Sequence, residues 1–261
     1  MTEIHKFTKE DLERRLITYI EKTLGEADGK HVFDRTKKYP KITGIAGDVV
    51  EQSILGYPPD PAQRPDLLVD GVLTELKVTG LKRRRSDRDK FEAKEPMTIT
   101  AVSPNDIVNE EFYLSHFWKK LAHLLIVYYL YDSDKTVKAA DYANFPIKGF
   151  DFYEFSKEDE EILKNDWTIV HDFISILQKR YDDPESQYHR ISSELRPKLL
   201  YIDTAPKWPN RPRFRLKRSV VTTLWEACCN KEYEKLDFNI TTYDEFDNLC
   251  HNIAKRYRSM S

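Results

Sequence analysis

The stretch Asp66-Leu-Leu-Val-Asp-Gly-Val-Leu-Thr-Glu75-Leu-Lys77 restricts the fold more than any other part of the chain. Its Asp70-Gly71 pair favours a two-residue type I′ hairpin loop, because both central residues of that loop take positive φ. With those two as the loop, Val69 faces Val72, Leu68 faces Leu73, Leu67 faces Thr74 and Asp66 faces Glu75. Directly opposed side chains share one face with Cβ atoms roughly 4.5–5.5 Å apart, so two carboxylates there repel unless a cation lies between them. Strand side chains alternate, and Lys77 therefore shares the face of Glu75. Paired carboxylates beside a lysine suit a hard divalent ion and phosphodiester hydrolysis. A solvated surface hairpin has the same pattern, so the rest of the chain decides between them.

Charge is distributed unevenly. The net charge is −2, yet Lys82 to Lys94 carries a local +4 and Lys207 to Arg218 a local +6, which leaves the remainder distinctly acidic. Basic segments on an acidic background suggest a polyanion gripped by specific loops. At 261 residues the chain is long enough for one large domain or two intimate lobes. Cys228, Cys229 and Cys250 form neither a disulfide framework nor a zinc spacing, which points to a reducing compartment. Met1 to Lys6 lacks a signal-peptide core, and the apolar run Leu124 to Leu130 is too short to span a bilayer. The expectation is a cytoplasmic protein.

Along the chain, Thr8-Lys-Glu-Asp11 opens a helix on which Leu12, Leu16, Ile20 and Leu24 recur until Gly25. Gly44 to Leu55 reads as a second helix closed by Gly56 and Pro58, with Glu51 on the side of Gly44, Gly47 and Asp48. Small residues flanking an acid let a ligand come close, although a solvent-facing glutamate is the ordinary reading. Pro58 to Pro65 is a stiff extended connection into the hairpin. After Lys77 come the basic loop Leu81 to Lys94, a strand from Met97 to Val102, and a buried strand from Leu121 to Tyr131 with Lys120 at its entrance. Ser156-Lys-Glu-Asp159 caps a long helix whose Trp167, Val170, Ile174 and Leu177 are packing residues. Leu195 to Ile202 reads as an edge strand because Pro197 cannot donate to a ladder. A Pro-rich basic stretch, a helix around Val220–Cys229 and a charged tail, helical near its end, complete the chain.

Pro65-Asp66 followed by Glu75-Leu-Lys77 resembles the PD…(D/E)xK nuclease pattern. The likeness extends further. Gly-Ile-Ala-Gly-Asp-Val-Val-Glu51-Gln-Ser-Ile-Leu-Gly56, then Glu75-Leu-Lys77-Val-Thr, Ser115-His-Phe-Trp-Lys-Lys120-Leu, Leu195-Arg196-Pro-Lys198 and Phe214-Arg-Leu-Lys217-Arg218 follow the order of blocks in the MutH-like endonucleases. That family holds a mismatch-repair nicking enzyme and type II restriction endonucleases that cut at GATC. The basic loop, Lys94-Glu95 and Glu111-to-Trp118 are closer to the restriction branch.

The resemblance implies a mixed α/β restriction-endonuclease-like domain over residues 1–261, with a mixed central sheet flanked by helices. A catalytic lobe over 1–150 and a DNA-gripping lobe over 151–261 would enclose a DNA cleft. It implies Mg²⁺ as cofactor, with Mn²⁺ as a substitute, held by Asp66 and Glu75 with Glu51 as an acidic partner. Lys77 and Lys120 would serve the attacking water and the scissile phosphate. Arg83, Arg84, Arg85, Arg196, Lys198, Arg213, Arg215, Lys217 and Arg218 would contact double-stranded DNA. A cognate DNA methyltransferase is the expected functional partner, and self-association on DNA is open because the chain holds one MutH-like unit where larger relatives hold two. The rivals are a methylation-directed nickase and a DNA-binding effector without catalysis.

Two departures bear on this. The eight residues between Asp66 and Glu75 exceed the family spacing by about two, a change that keeps both carboxylates on one face. Asp66 rather than Asp70 is taken as the ligand. Arg215 stands where methylation-sensing members carry an aromatic, so the response to methylation does not carry over.

Overall fold

The computed structural model describes residues 4–58, 64–204 and 211–230. In chain order the elements begin with β1 (His5–Phe7), α1 (Lys9–Ile17), α2 (Leu24–Ala27), α3 (Arg35–Lys38) and α4 (Ile45–Val49), the last running into a π-helical turn over Val50–Leu55. Then come β2 (Leu67–Val69), β3 (Val72–Arg83), β4 (Phe91–Ala93), β5 (Met97–Ala101), α5 (Pro104–Ile107), α6 (His116–Leu121), β6 (Leu124–Leu130) and β7 (Ile147–Tyr153). The chain continues through α7 (Lys157–Arg180), α8 (His189–Glu194), β8 (Leu200–Thr204), β9 (Pro212–Leu216) and α9 (Arg218–Asn230).

The Asp-Gly hairpin forms in the expected register, with Leu67 opposite Thr74, Leu68 opposite Leu73 and Val69 opposite Val72. Asp70 at φ 47° and Gly71 at φ 86° both occupy the left-handed region that a type I′ loop demands. Asp70 is committed to the loop end, where its Oδ2 accepts the Lys9 N–H at 3.1 Å.

The six-stranded sheet has the order β1-β2-β3-β6-β7, and β4 joins the far end of β3. β3 and β6 run parallel while β2–β3 and β6–β7 run antiparallel, so the sheet is mixed. Every residue of β6 is buried. Its alternate residues serve two cores: Leu125, Val127 and Tyr129 pack with Leu12, Leu16, Val49 and Leu67, while Leu124, Ile126 and Tyr128 pack with Trp167, Phe214 and Trp225. A strand covered on both faces reads as an unbroken apolar run, which explains the Leu124-to-Leu130 sequence. The second core joins the main sheet to a three-stranded sheet of order β5-β9-β8 and to α7. This mixed α/β architecture, with its central sheet flanked by helices, is restriction-endonuclease-like.

Several sequence readings are corrected. The first helix ends at Ile17, not at Leu24, and Leu24 begins a separate short helix behind a Thr23–Glu26 capping box. Leu12, Leu16 and Leu24 are all buried, so the apolar spacing was sound even though the chain turns between them at Glu21, φ 65°. Helix Gly44–Leu55 is α-helical only to Val49. The basic loop is partly strand, since β3 runs to Arg83. Lys120 stands on α6, ahead of the buried strand and not within its register. The edge strand begins at Leu200, later than expected, and occupies the edge of the small sheet. The basic stretch after residue 211 is the middle strand of that sheet, with Pro212 as its first residue. The small sheet also takes β5 from before residue 150, and α9 packs on β4. The readings of Pro59 to Pro61, of Lys207 and of a helix near the end of the tail lie outside the described residues.

Candidate active site

Leu76 faces the first core, so period-two alternation turns Glu75 and Lys77 to the opposite face of β3, towards the small sheet. There Lys77 Nζ lies 2.7 Å from Glu75 Oε1 and 3.4 Å from the Ile99 carbonyl of β5. Lys120 reaches in from the last turn of α6, with Nζ donating to Glu75 Oε1 at 3.0 Å and Oε2 at 3.1 Å. Glu75 is 2% exposed. A charge this deep is tolerated because it is paired and hydrogen-bonded on both oxygens.

Asp66 sits just ahead of β2. Its Oδ2 accepts the Leu76 N–H at 3.0 Å, which anchors the carboxylate across the open end of the hairpin beside Glu75. Burial raises its pKa, with the charge of Glu75 adding to the effect. The β2–β3 ladder runs from Leu67–Thr74 to the loop, and Asp66 lies just beyond its open end.

Glu51 comes from the π-helical turn. Its backbone carbonyl accepts both the Gly56 N–H at 2.8 Å and the Tyr57 N–H at 3.0 Å, and Gly56 leaves the turn at φ 85°. π-Helical turns within helices are frequent at functional sites. The Glu51 carboxyl is pushed up to about 7, first by burial and then by the negative charges of Asp66, Asp48 and Glu75. Glu51 thus lies within the field of three other acids, Asp66, Asp48 and Glu75.

The donor set suits a hard cation, because carboxylate oxygens are the ligands Mg²⁺ prefers and mutual repulsion is what a cation relieves. Among the described residues no group of three or more Asp, Glu, His or Cys side chains is drawn together as a ready-made metal site. Asp66 and Glu75 form the pair, Glu51 is an electrostatic neighbour, and the two ammonium groups occupy the Glu75 oxygens. Mg²⁺ is commonly held by one or two carboxylates with water completing its shell, so a pair of acids fits it.

The expected DNA-contacting residues divide into two groups. Arg85, Arg196, Lys198 and Arg218 are exposed. The others are engaged within the fold. Arg83 pairs with Asp132 at 3.3 Å, Arg84 with Glu226, and the Lys217 ammonium with the Pro197 carbonyl. Arg213 holds Asp203 in a two-pronged contact at 2.9 and 2.7 Å, and Arg215 donates to Asp203 at 3.1 Å and to the Pro96 carbonyl at 2.6 Å.

Two features went unread in the sequence. Asp166, fully buried on α7, accepts the backbone N–H groups of Lys198, Leu199 and Leu200 at 2.7, 2.7 and 3.0 Å, and so fixes the segment that presents Arg196 and Lys198. An acid in the middle of an apolar helical stripe is the signal that could have revealed it. His116 and Glu110 form a contacting pair one helical turn before Lys120. Nothing in their local spacing marks them out.

A mixed sheet with carboxylates and lysines gathered at one end of a central strand defines a restriction-endonuclease-like nuclease. Residues 55–166 match the model of a family described as DNA mismatch repair enzyme MutH. That segment contains Asp66, Glu75, Lys77 and Lys120, and over it the chain is similar to that family. No curated protein matches the chain. Among the described residues no helix is long and apolar enough to cross a membrane.

Proposed function

We infer that the protein is a Mg²⁺-dependent endonuclease of double-stranded DNA, acting as a type II site-specific enzyme at GATC or a close variant. The observation that carries the metal and catalytic roles is Glu75, buried on β3 beside Asp66 and shared by Lys77 and Lys120. In this reading Asp66 and Glu75 hold Mg²⁺, or Mn²⁺ in its place. The bound ion supplies charge for the transition state and lowers the pKa of a coordinated water. Lys77 orients the attacking water from its place between Glu75 and the Ile99 carbonyl. Lys120 shifts from Glu75 to the scissile phosphate, since a lysine ammonium is a point charge on a flexible stem. Positive charge preorganised at the phosphate stabilises the transition state. Family resemblance gives products with 5′-phosphate and 3′-hydroxyl ends.

Exposed Arg85, Arg196, Lys198 and Arg218 supply salt-sensitive phosphate contacts and base contacts. Restriction is favoured over methylation-directed nicking because position 215, aromatic in the methylation-sensing members, is an arginine that Asp203 and the Pro96 carbonyl immobilise. A methyltransferase protecting the same site is then the functional partner, in a prokaryotic cytoplasm. Incubation with unmethylated, hemimethylated and fully methylated GATC duplexes in Mg²⁺ tests the reading. Double-strand cleavage is expected on unmethylated DNA. Nicks confined to one strand of hemimethylated DNA would replace restriction by repair, and binding without cleavage in either Mg²⁺ or Mn²⁺ would remove the enzyme.

A further inference from the structure

Helix α7 carries a second apolar row besides the one that faces the core. Leu163, Val170, Ile174 and Leu177 are buried against the rest of the fold. Residues seven apart on a helix return to within about 20° of the same bearing, so Ile162, Ile169 and Ile176 line up on another side. Ile169 is 36% and Ile176 49% exposed, with Ile162 and Phe173 half-buried beside them. The Arg190 guanidinium lies over the Phe173 ring at 5.9 Å and closes that flank. Nothing local asks for isoleucine here, because a β-branched side chain is a poorer helix former than lysine or glutamate. The two ends of the row bear opposite charge. Glu158 and Glu161 are exposed near its start and Lys179 and Arg180 at its end, and among the described residues none of the four enters an ion pair.

We propose that this row is the interface of a homodimer, in which α7 of one protomer packs antiparallel on α7 of a second copy across a two-fold axis at Ile169. The row is symmetric about that residue, with Ile162 seven positions before it and Ile176 seven after. Ile169 then meets its own counterpart, and Ile162 meets Ile176 of the second copy. A contact between identical patches needs a surface complementary to itself. The charges meet that need, since antiparallel packing sets Glu158 and Glu161 of each copy against Lys179 and Arg180 of the other. Parallel packing would set like against like. Glu158 to Arg180 spans about 33 Å at a rise of about 1.5 Å per residue, so the charged ends stand well clear of the axis and reinforce one register. A seven-residue apolar period is also the one that keeps two α-helices in contact along their length. The pairing needs neither DNA nor metal, and so stands apart from the reaction proposed above.

Sedimentation velocity of the full chain without DNA tests this. One helix pair is a small interface, so a dimer with Kd on the order of 10 µM is expected, and loading concentrations from about 1 to 200 µM cover it. Ile169→Lys sets two like charges against each other at the axis and should weaken the dimer at least about 100-fold. The paired substitutions Glu158→Lys with Glu161→Lys, and Lys179→Glu with Arg180→Glu, should each give a monomer, because each chain then meets itself with like charge. Mixed together, those two variants should form a one-to-one heterodimer. All the substituted side chains lie outside the core, and circular dichroism of each variant should match the parent. A parent chain that stays monomeric over the whole range would overturn the proposal. So would a dimer that Ile169→Lys leaves intact, which would place the association on another face. Two folded, monomeric charge variants that fail to pair when mixed would overturn it as well, by removing the antiparallel register.

Discussion

Glu75 on the six-stranded sheet and Asp203 on the three-stranded sheet each hold two cationic side chains, but the surroundings and the cations differ. Glu75 is held by lysines whose ammonium groups can swing away on long stems, and further carboxylates stand close by. Asp203 is gripped by the planar forks of Arg213 and Arg215, and the Pro96 carbonyl fixes Arg215 from the other side. A guanidinium fork loses little freedom on binding and gives up its partner reluctantly, whereas lysine is a mobile point charge. One triplet can be remodelled by an incoming cation and phosphate. The other is a rivet between β8 and β9.

If that contrast is right, substitutions at the first triplet remove chemistry and those at the second remove stability. Glu75→Gln and Asp66→Asn should each lower single-turnover cleavage in Mg²⁺ on the order of 10³-fold. DNA affinity measured in Ca²⁺ should stay close to that of the parent. Loss of DNA affinity in parallel with cleavage would erase the distinction between the two triplets.

Asp166 sharpens the comparison, because it is a buried carboxylate whose partners are three backbone N–H groups of the segment before and into β8. Replacement by Ala orphans all of them at once. With each unsatisfied donor costing roughly 1–3 kcal/mol, Asp166→Ala should destabilise by at least about 3 kcal/mol. A shift in the urea midpoint without a change in slope would report it. At Asp203 the pairs are partly open to water, so Asp203→Asn should cost about 1–3 kcal/mol. A double-mutant cycle with Arg213→Gln separates their coupling from the separate losses. Cleavage per folded molecule should change little in Asp203→Asn.

The two triplets were unequally legible. Asp66, Glu75 and Lys77 lie within a hairpin whose register the Asp-Gly loop dictates, so local rules alone bring them together. Glu51 and Lys120 came from the family resemblance. Helical projection put Glu51 on the side of Gly44, Gly47 and Asp48, but the π-turn that carries it beyond α4 has no recognisable sequence signal. Lys120 was placed at the entrance of a strand because the apolar run conceals where α6 stops. The Asp203 rivet went unread because the Pro-rich basic stretch was not recognised as a strand: Asp203 lies directly opposite Arg213 in the antiparallel β8–β9 pair, and only the Arg215–Pro96 contact reaches across more than a hundred residues. Reading Arg213 and Arg215 as DNA contacts rested on their charge, and charge does not reveal that an acid on the next strand already holds it.

Glu51 offers a finer test of how far the first triplet is built for a cation. Its pKa is raised in the folded chain, so its neutral form is the stabilising one. That contribution is complete below the ordinary value of 4.5 and is lost as pH rises through about 7. In metal-free buffer the melting temperature of the parent, relative to Glu51→Gln, should therefore fall across this window. Mg²⁺ at saturating concentration should flatten the difference, because an added positive charge favours the ionised carboxyl. A decline of the same size with and without Mg²⁺ would detach Glu51 from the metal site.

The smallest expected effect lies at the surface. Lys198 is exposed, and its backbone rather than its side chain is what Asp166 holds. Lys198→Ala should thus leave stability within about 0.5 kcal/mol and spare the chemical step. If the ammonium meets a phosphate, DNA affinity in Ca²⁺ should weaken for all sequences alike, and the slope of log affinity against log salt should shrink by about one. If it reads a base, the slope should hold and discrimination against altered sites should fall instead. Either outcome keeps the division of labour, in which the interior of the small sheet is riveted by Asp203 and Asp166 so that its exposed basic rim can be spent on DNA. A Lys198→Ala variant with unchanged affinity, slope and discrimination would mean that DNA approaches along another face, and Arg85 on the β3–β4 turn would be the next position to substitute.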